Sequence, residues 1–506
     1  MFKSSRTLSI LGLVLTLLLV FSGVAVSQVK NPNTITVAHI GQITSIDPAY
    51  PNFSSNANTF FWATYEGLVR FSKDDLNEFT PLLATKVPTR ENGLITEGKD
   101  GNISITFPLR DGVKFHKGGE MTPEDVKYSF LRKLTLEPTG GEASDVLFAL
   151  TGYNSLNAWA RDLEDVEGFS EASQETVNKM YGVLDEAIEI DGMEVTFHLK
   201  ERVGLFLTFI AKETNGTGLV YDKEWAIEQG AWPGSPETWQ NYYDPKQEET
   251  ALYDIENGTG GFQISRWNIS DQEMILDRFD EYWQGPAEIE NVKLDYVEEW
   301  STRQLMLQKG DADFAYVPTQ YMSQVEEMDG VVVEPPKPSG VIRVLFYQWP
   351  IQGTRFTGSG KLDGNGIPPD FFADVDVRQA FNYLMPYERF NEQILNGDAF
   401  RIPGPLSSQF PAASSDVPMY EYNKEKAIEH LKKAHDGKVW EKGFKFTAVY
   451  NAGNTLAKTG LEMLAAELRQ IKPEFRFDLH ASTWNEFIPL RTQNKIPFFY
   501  SGWGAS

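Results

Sequence analysis

Two hydrophobic periods alternate along this chain, and that alternation constrains its fold more than any other feature. Ile103, Ile105, Phe107 and Leu109 recur at every second residue, the spacing of a strand with one buried face. Val377, Ala380, Phe381 and Leu384 fall instead at i, i+3, i+4 and i+7, one stripe of a buried helix. Val195, Phe197 and Leu199 repeat the strand period, while Ala457, Gly460, Leu461, Leu464, Leu468 and Ile471 repeat the helical one. Phe475, Phe477 and Leu479 predict another strand, and Phe498, Phe499 and Tyr500 an apolar one. Short strands interleaved with amphipathic helices, without any repeat, place the chain in the α/β class.

Local punctuation sharpens the boundaries. Thr122-Pro123-Glu124-Asp125 opens a helix with a capping threonine, a proline at the first helical position and an acid that completes a capping box. Ser301 with Gln304 predicts a second start, for a helix that stops near Gly310, and Thr483 with Glu486 predicts a third. Pro108 lacks a backbone donor, which predicts an edge position for the strand that contains it.

At the amino end, Lys3 and Arg6 precede an apolar run from Leu8 to Val26, which ends in Ala25-Val26-Ser27 before Gln28. A positive start, an apolar stretch and small residues are what signal peptidase reads, so residues 1–27 are expected to be a cleaved export signal. The alternative is a retained anchor, since about 19 apolar-biased residues nearly span a bilayer. Gly12, Ser22 and Gly23 weaken that alternative. Release after Ser27 predicts a periplasmic or extracellular protein. With no cysteine in the chain, disulfides, thiol catalysis, thiolate metal sites and an amino-terminal lipid anchor are all excluded.

Past Ser27, 44 basic residues stand against 71 acidic ones, a net of −27. Such a surface repels phosphate backbones, argues against nucleic acid as a partner and favours a soluble monomer. No two of the six histidines have the spacing that puts two metal ligands on one helical face, and no Gly-x-Ser-x-Gly elbow occurs. Gly358-Ser359-Gly360-Lys361 fails as a phosphate loop, because Leu362 follows where magnesium needs a hydroxyl. Gly258, Gly260 and Gly261 miss the dinucleotide spacing. The residues therefore indicate no catalytic group, metal or cofactor, although a glycosidase carboxylate pair leaves no trace in sequence spacing. The 12 Trp, 20 Tyr and 33 Phe suit either a packed core or a cleft that holds ligand by apolar contact and stacking.

The run from Leu109 to Arg132, LRDGVKFHKGGEMTPEDVKYSFLR, closely resembles the signature of the family-5 extracellular solute-binding proteins, the peptide-binding and related receptors of ABC importers. Other motifs resemble the same family in the same order: Ser45-Ile46-Asp47-Pro48, Tyr65-Glu66-Gly67-Leu68-Val69, GGFQISRW from Gly260 to Trp267, and Tyr282-Trp283. LMLQKGDADFA from Leu305, DVRQAFNYLM from Asp376 and Tyr450-Asn451-Ala452-Gly453-Asn454 continue it. The resemblance implies a two-lobed, periplasmic-binding-protein-like α/β fold, with an extra subdomain on lobe I and a hinge of crossing strands. Residues 28–67 and 195–297 would form lobe I, 68–194 the subdomain and 298–506 lobe II, in a chain expected to continue past Ser506.

The resemblance also implies a ligand site. Trp484, Arg491 and Trp503 fall on pocket-lining positions, and the main chain of Gly502, Trp503 and Gly504 on a strand that pairs with bound peptide. Asn52, Phe53 and Ser54 fall on the facing strand. Ser506 replaces the aspartate that would hold a ligand's free amine, which favours a ligand without one. Three expectations follow: a receptor passing oligopeptides to an ABC permease, the same scaffold holding an oligosaccharide, and, least supported, a secreted hydrolase.

Overall fold

The computed structural model describes residues 30–50, 55–72, 78–99, 101–137, 143–201, 204–211, 217–268, 270, 272–334, 341–404, 414 and 416–504. The expected signal segment lies outside them. Among the described residues no helix is long and apolar enough to cross a membrane.

The fold is mixed α/β with three main sheets. The first has the order β11-β1-β10-β9-β8 and is built from β1 (Thr34–His39), β8 (Phe262–Asn268), β9 (Glu273–Arg278), β10 (Asn291–Tyr296) and β11 (Phe314–Ala315). Here β1 runs parallel to both neighbours, from Thr34 opposite Asn291 to His39 opposite Tyr296, with Val37 and Ala38 opposite Phe314 and Ala315. A short ribbon pairs β2 (Val69–Phe71) with β3 (Phe79–Pro81). The second sheet is antiparallel, in the order β4-β5-β7-β6: β4 (Ile95–Glu97), β5 (Ile103–Pro108), β6 (Ile188–Asp191) and β7 (Glu194–Leu199). Helices α1 (Ser55–Thr64), α2 (Pro123–Leu136), α3 (Ala143–Thr151) and α4 (Gln174–Ala187) belong to this half, the last three packing on β7.

After α5 (Trp300–Lys309) comes the third sheet, β12-β15-β13-β14, from β12 (Val341–Tyr347), β13 (Phe444–Asn451), β14 (Phe475–Ser482) and β15 (Phe498–Gly504). Its helices include α6 (Val375–Leu384), α7 (Lys424–Lys433), α8 (Thr455–Ile471) and α9 (Trp484–Thr492). β13 runs parallel to β14 and β15, whereas β12 runs antiparallel to β15. α8 packs across β13, β14 and β15, and α6 packs on both α7 and α8.

Two large cores follow from this layout, with a small third one of Phe356, Val449, Phe487, Ile496 and Phe499. One runs from Ile43 to Leu294 and the other from Ile351 to Tyr500. The second is largely aromatic: Phe372, Phe381, Phe446 and Phe498 meet edge to face or stacked at centroid distances of 5.6–6.3 Å. Burying each such ring stabilises the fold by roughly 1.5–3 kcal/mol. Most phenylalanines fill the interior, and Trp232 and Trp239 are fully buried.

The helical stripes are where the periodicity places them, with Val377, Ala380, Phe381 and Leu384 all buried, as are Ala457, Gly460, Leu461, Leu464 and Leu468. Other expectations change. β5 is an interior strand between β4 and β7, not an edge; Pro108 is tolerated because β4 reaches only from opposite Ile103 to opposite Ile105, which leaves the Pro108 end free on that side. There the Pro108 carbonyl accepts from the Thr85 backbone amide at 2.7 Å. The second helix starts at Trp300 behind Glu299, so Ser301 lies inside it rather than capping it, though Gly310 ends it with φ 66°. Thr483 does precede α9, but the Glu486 carboxylate turns to Ser482 Oγ (2.8 Å) and Arg355 instead of closing a capping box. The Gly258 and Gly260 pair serves close packing: a Cβ would lie 2.0 Å from the Thr64 carbonyl oxygen at the first and 2.4 Å from that of Ala63 at the second.

Candidate functional site

Parallel strands send their carboxyl ends to a common edge, and open α/β sheets bind ligands there. In the first sheet that edge gathers His39, Tyr296 and Ala315. In the third it gathers Asn451, Ser482 and Gly504, joined by the Ala452 amide donating to the Ser482 carbonyl at 2.8 Å. Just past β11, Gln320 Nε2 donates to Thr455 Oγ1 (2.9 Å) at the start of α8, and the Thr319 carbonyl accepts from Asn396 Nδ2 (3.2 Å). The two edges therefore meet through the segment that follows β11.

Arg303 organises that segment. Only 1% exposed, it donates to the carbonyls of Tyr316 (2.8 Å), Val297 (2.5 Å) and Glu298 (2.7 Å). It thereby ties the exit of β10 to the exit of β11 without a carboxylate. The His39 ring packs on Tyr316 with centroids 4.8 Å apart, and its Nδ1 accepts from the Ile40 and Gly41 amides. Burial first, then the Arg303 charge, pushes the His39 imidazole down to about 4. It is neutral at ordinary pH.

β15 supplies the feature with the plainest binding chemistry. It pairs with β12 along its whole length, but with β13 only where Phe499 meets Val449. β13 ends at Asn451, two residues past that point, so from Gly502 to Gly504 the second edge of β15 carries no strand among the described residues. Backbone donors and acceptors on such an edge can pair with an extended ligand.

The expected site residues fall unevenly. Asn52, Phe53, Ser54 and Ser506 lie outside the described residues, as do the side chains of Trp484, Trp503 and Gly504. The Trp484 backbone opens α9 beside the carboxyl end of β14, while Trp503 and Gly504 close β15. Gly502 stands opposite Arg343 on β12. Arg491 lies seven residues along α9 from Trp484, about 10 Å of helix, where its carbonyl accepts from Gln348 Nε2 at 2.7 Å. Sequence reading missed His39, Arg303 and Tyr316; no local pattern marks them, because their contacts span the crossing segments.

The sequence motifs meet away from this edge, as a buried scaffold. Arg132 of the signature grips Asp47 with Nη1 to Oδ1 at 2.8 Å and Nη2 to Oδ2 at 2.6 Å. His116 Nδ1 lies 2.7 Å from Glu256 Oε2, and its Nε2 lies 2.9 Å from the Gly260 carbonyl oxygen. Glu66 accepts from Thr259, Tyr282 and Trp283, and burial raises its carboxyl above the usual range. No group of three or more potential metal ligands occurs among the described residues.

Comparisons with known proteins agree with this architecture. Residues 78–506 match the model for "Bacterial extracellular solute-binding proteins, family 5 Middle". The oligopeptide-binding protein AppA of Bacillus subtilis is 22% identical over 427 residues, 80% of this chain and 64% of the relative. This chain thus spans less than two thirds of that relative's length. Among solved structures, the periplasmic binding protein DppA of Helicobacter pylori, in complex with the peptide STSA, has a TM-score of 0.64 at 21% identity. That match covers 93% of this chain and 78% of DppA. AgaA from A. tumefacien R10, in complex with agropinic acid, has a TM-score of 0.62 at 18% identity, covering 93% and 77%. The chain belongs to the family-5 bacterial extracellular solute-binding proteins.

Proposed function

We propose that this protein captures a solute outside the cytoplasm and hands it to the permease of an ABC importer, and that the solute is an oligopeptide. The open edge of β15 from Gly502 to Gly504 carries the reading. A peptide backbone laid along it would complete the sheet with main-chain hydrogen bonds, giving affinity with little demand on side chains. That AppA binds oligopeptides and DppA holds a peptide supports the same choice. On this reading the protein is exported by cleavage after Ser27, acts as a monomer and catalyses no reaction. Lobe I comprises residues 28–67 and 195–297, its subdomain 68–194, and lobe II residues 298–506. Asn52, Phe53, Ser54, Trp484, Arg491, Gly502, Trp503, Gly504 and Ser506 line the pocket.

A second reading keeps the scaffold and replaces the peptide with an oligosaccharide. Ser506 favours it, since a hydroxyl cannot hold a free amine as a carboxylate does. Thermal melts against pools of short peptides and of oligosaccharides decide between them, because a ligand that binds only the folded state raises the midpoint by mass action. A rise with peptides alone supports the first reading, and one with oligosaccharides alone supports the second. No rise with either pool would overturn both.

A further inference from the structure

β12 and β15 together contain a single charged residue, Arg343. It is exposed, and it makes no ion pair with any described residue. No Asp or Glu occurs anywhere from Ile496 to Ser506 either. No described carboxylate holds the Arg343 guanidinium in place, so it is available to a ligand.

Its position explains it. Ile342 is buried and Arg343 exposed, so the two point to opposite faces of β12. Arg343 lies directly opposite Gly502, and Leu345 directly opposite Tyr500, so these four share one face. Because Gly502 has no side chain, the position facing Arg343 leaves the arginine room to lie across β15 toward its open edge. A ligand strand on that edge would sit two strand spacings from β12, about 10 Å, a span that an extended arginine and one hydrogen bond bridge. The surroundings agree: Tyr500 is pushed up to about 12 by burial first, with the Arg343 charge opposing and Tyr316 adding to the rise. Arg343 therefore lies near the segment where the two edges meet.

We propose that Arg343 anchors a carboxylate on the captured solute, gripping it across Gly502 in the two-pronged geometry that guanidinium and carboxylate share. The assignment rests on the solute-binding reading above and narrows it to ligands with an acidic group, whether the terminus of a peptide or a sugar acid.

Calorimetry with two matched pairs of probes tests it: tetra-alanine against tetra-alanine amide, and lactobionate against lactose. In at least one pair the acid should bind the unmodified protein about tenfold or more tighter than its neutral partner. Arg343→Gln should abolish that preference, and Arg343→Lys should keep part of it. Since the side chain is exposed, both variants should melt where the unmodified protein does, which separates lost anchoring from lost folding. Equal binding of acid and neutral partner, or a preference that survives in Arg343→Gln, overturns the anchor while leaving solute capture standing. Binding of none of the four probes overturns both.

Discussion

Arg132 and Asp47, 85 residues apart in the chain, form a bidentate ion pair whose side chains are 2% and 0% exposed. Each comes from a different family motif, so the pair holds the amino-terminal segment against α2. Removing one partner leaves a buried charge alone. Asp47→Ala or Arg132→Leu is expected to destabilise the protein by about 3–5 kcal/mol, while the double change to apolar residues should recover much of the loss. Denaturant melts of the three variants check this. Burial by itself would raise the Asp47 carboxyl, but the charge and hydrogen bonds of Arg132 outweigh it and hold the group below its usual range. This stability is therefore present above the ordinary aspartate range and is lost as pH falls through the depressed value.

His39 predicts a separate pH dependence. Its folded-state value of about 4 lies below the ordinary 6.5, so the unfolded chain binds the extra proton between those limits. Stability should fall as pH drops from 6.5 toward 4, by about 2–3 kcal/mol in all. Replacing His39 with Gln should flatten that part of the profile in denaturant melts between pH 7 and pH 4. An unchanged slope would show that His39 is not the group responsible.

Gly258 and Gly260 pack against the end of α1 with no room for a methyl group. Alanine at either position is expected to lower stability by roughly 1–3 kcal/mol through forced backbone shifts. The melting temperature reports it directly. Gly285, with nothing within 4 Å of its Cβ position but φ 91°, serves as a control for backbone strain without a clash.

Trp484 and Trp503 separate cleft from core by behaviour. Lining the cleft, each should lose roughly 1–3 kcal/mol of binding on change to alanine, with the melting point kept. A core tryptophan would instead lose ~3–5 kcal/mol of stability. Calorimetry and melts on the same two variants give both readouts.

Solute capture between two lobes predicts closure. Saturating ligand should reduce the radius of gyration seen by small-angle scattering, as binding selects the closed state. An unchanged radius would mean a rigid, preformed pocket.

What the sequence made legible was local. The stripe at Val377, Ala380, Phe381 and Leu384 is readable because four spacings within eight residues decide it. Gly310 ends α5 because a left-handed stop is a property of one residue. Pro108 misled because edge or interior depends on where β4 stops, which Pro108 does not encode. Glu486 misled because Ser482 and Arg355 compete for its carboxylate, and Arg355 lies 131 residues away. Arg303 and Arg343 were invisible for the same reason: their meaning lies in carbonyls and a glycine that only the folded chain brings near.

The central place of β1 has a consequence for how the molecule is made. This strand, Thr34–His39, finds its partners only at 291–296 and 314–315. Its ladders stay unmade until some three hundred residues have left the ribosome. Pairing over such a separation is slow, because the ends of a long loop must first be brought together. The first sheet thus cannot close until β10 and β11 have been made, although its central strand is the first the chain supplies.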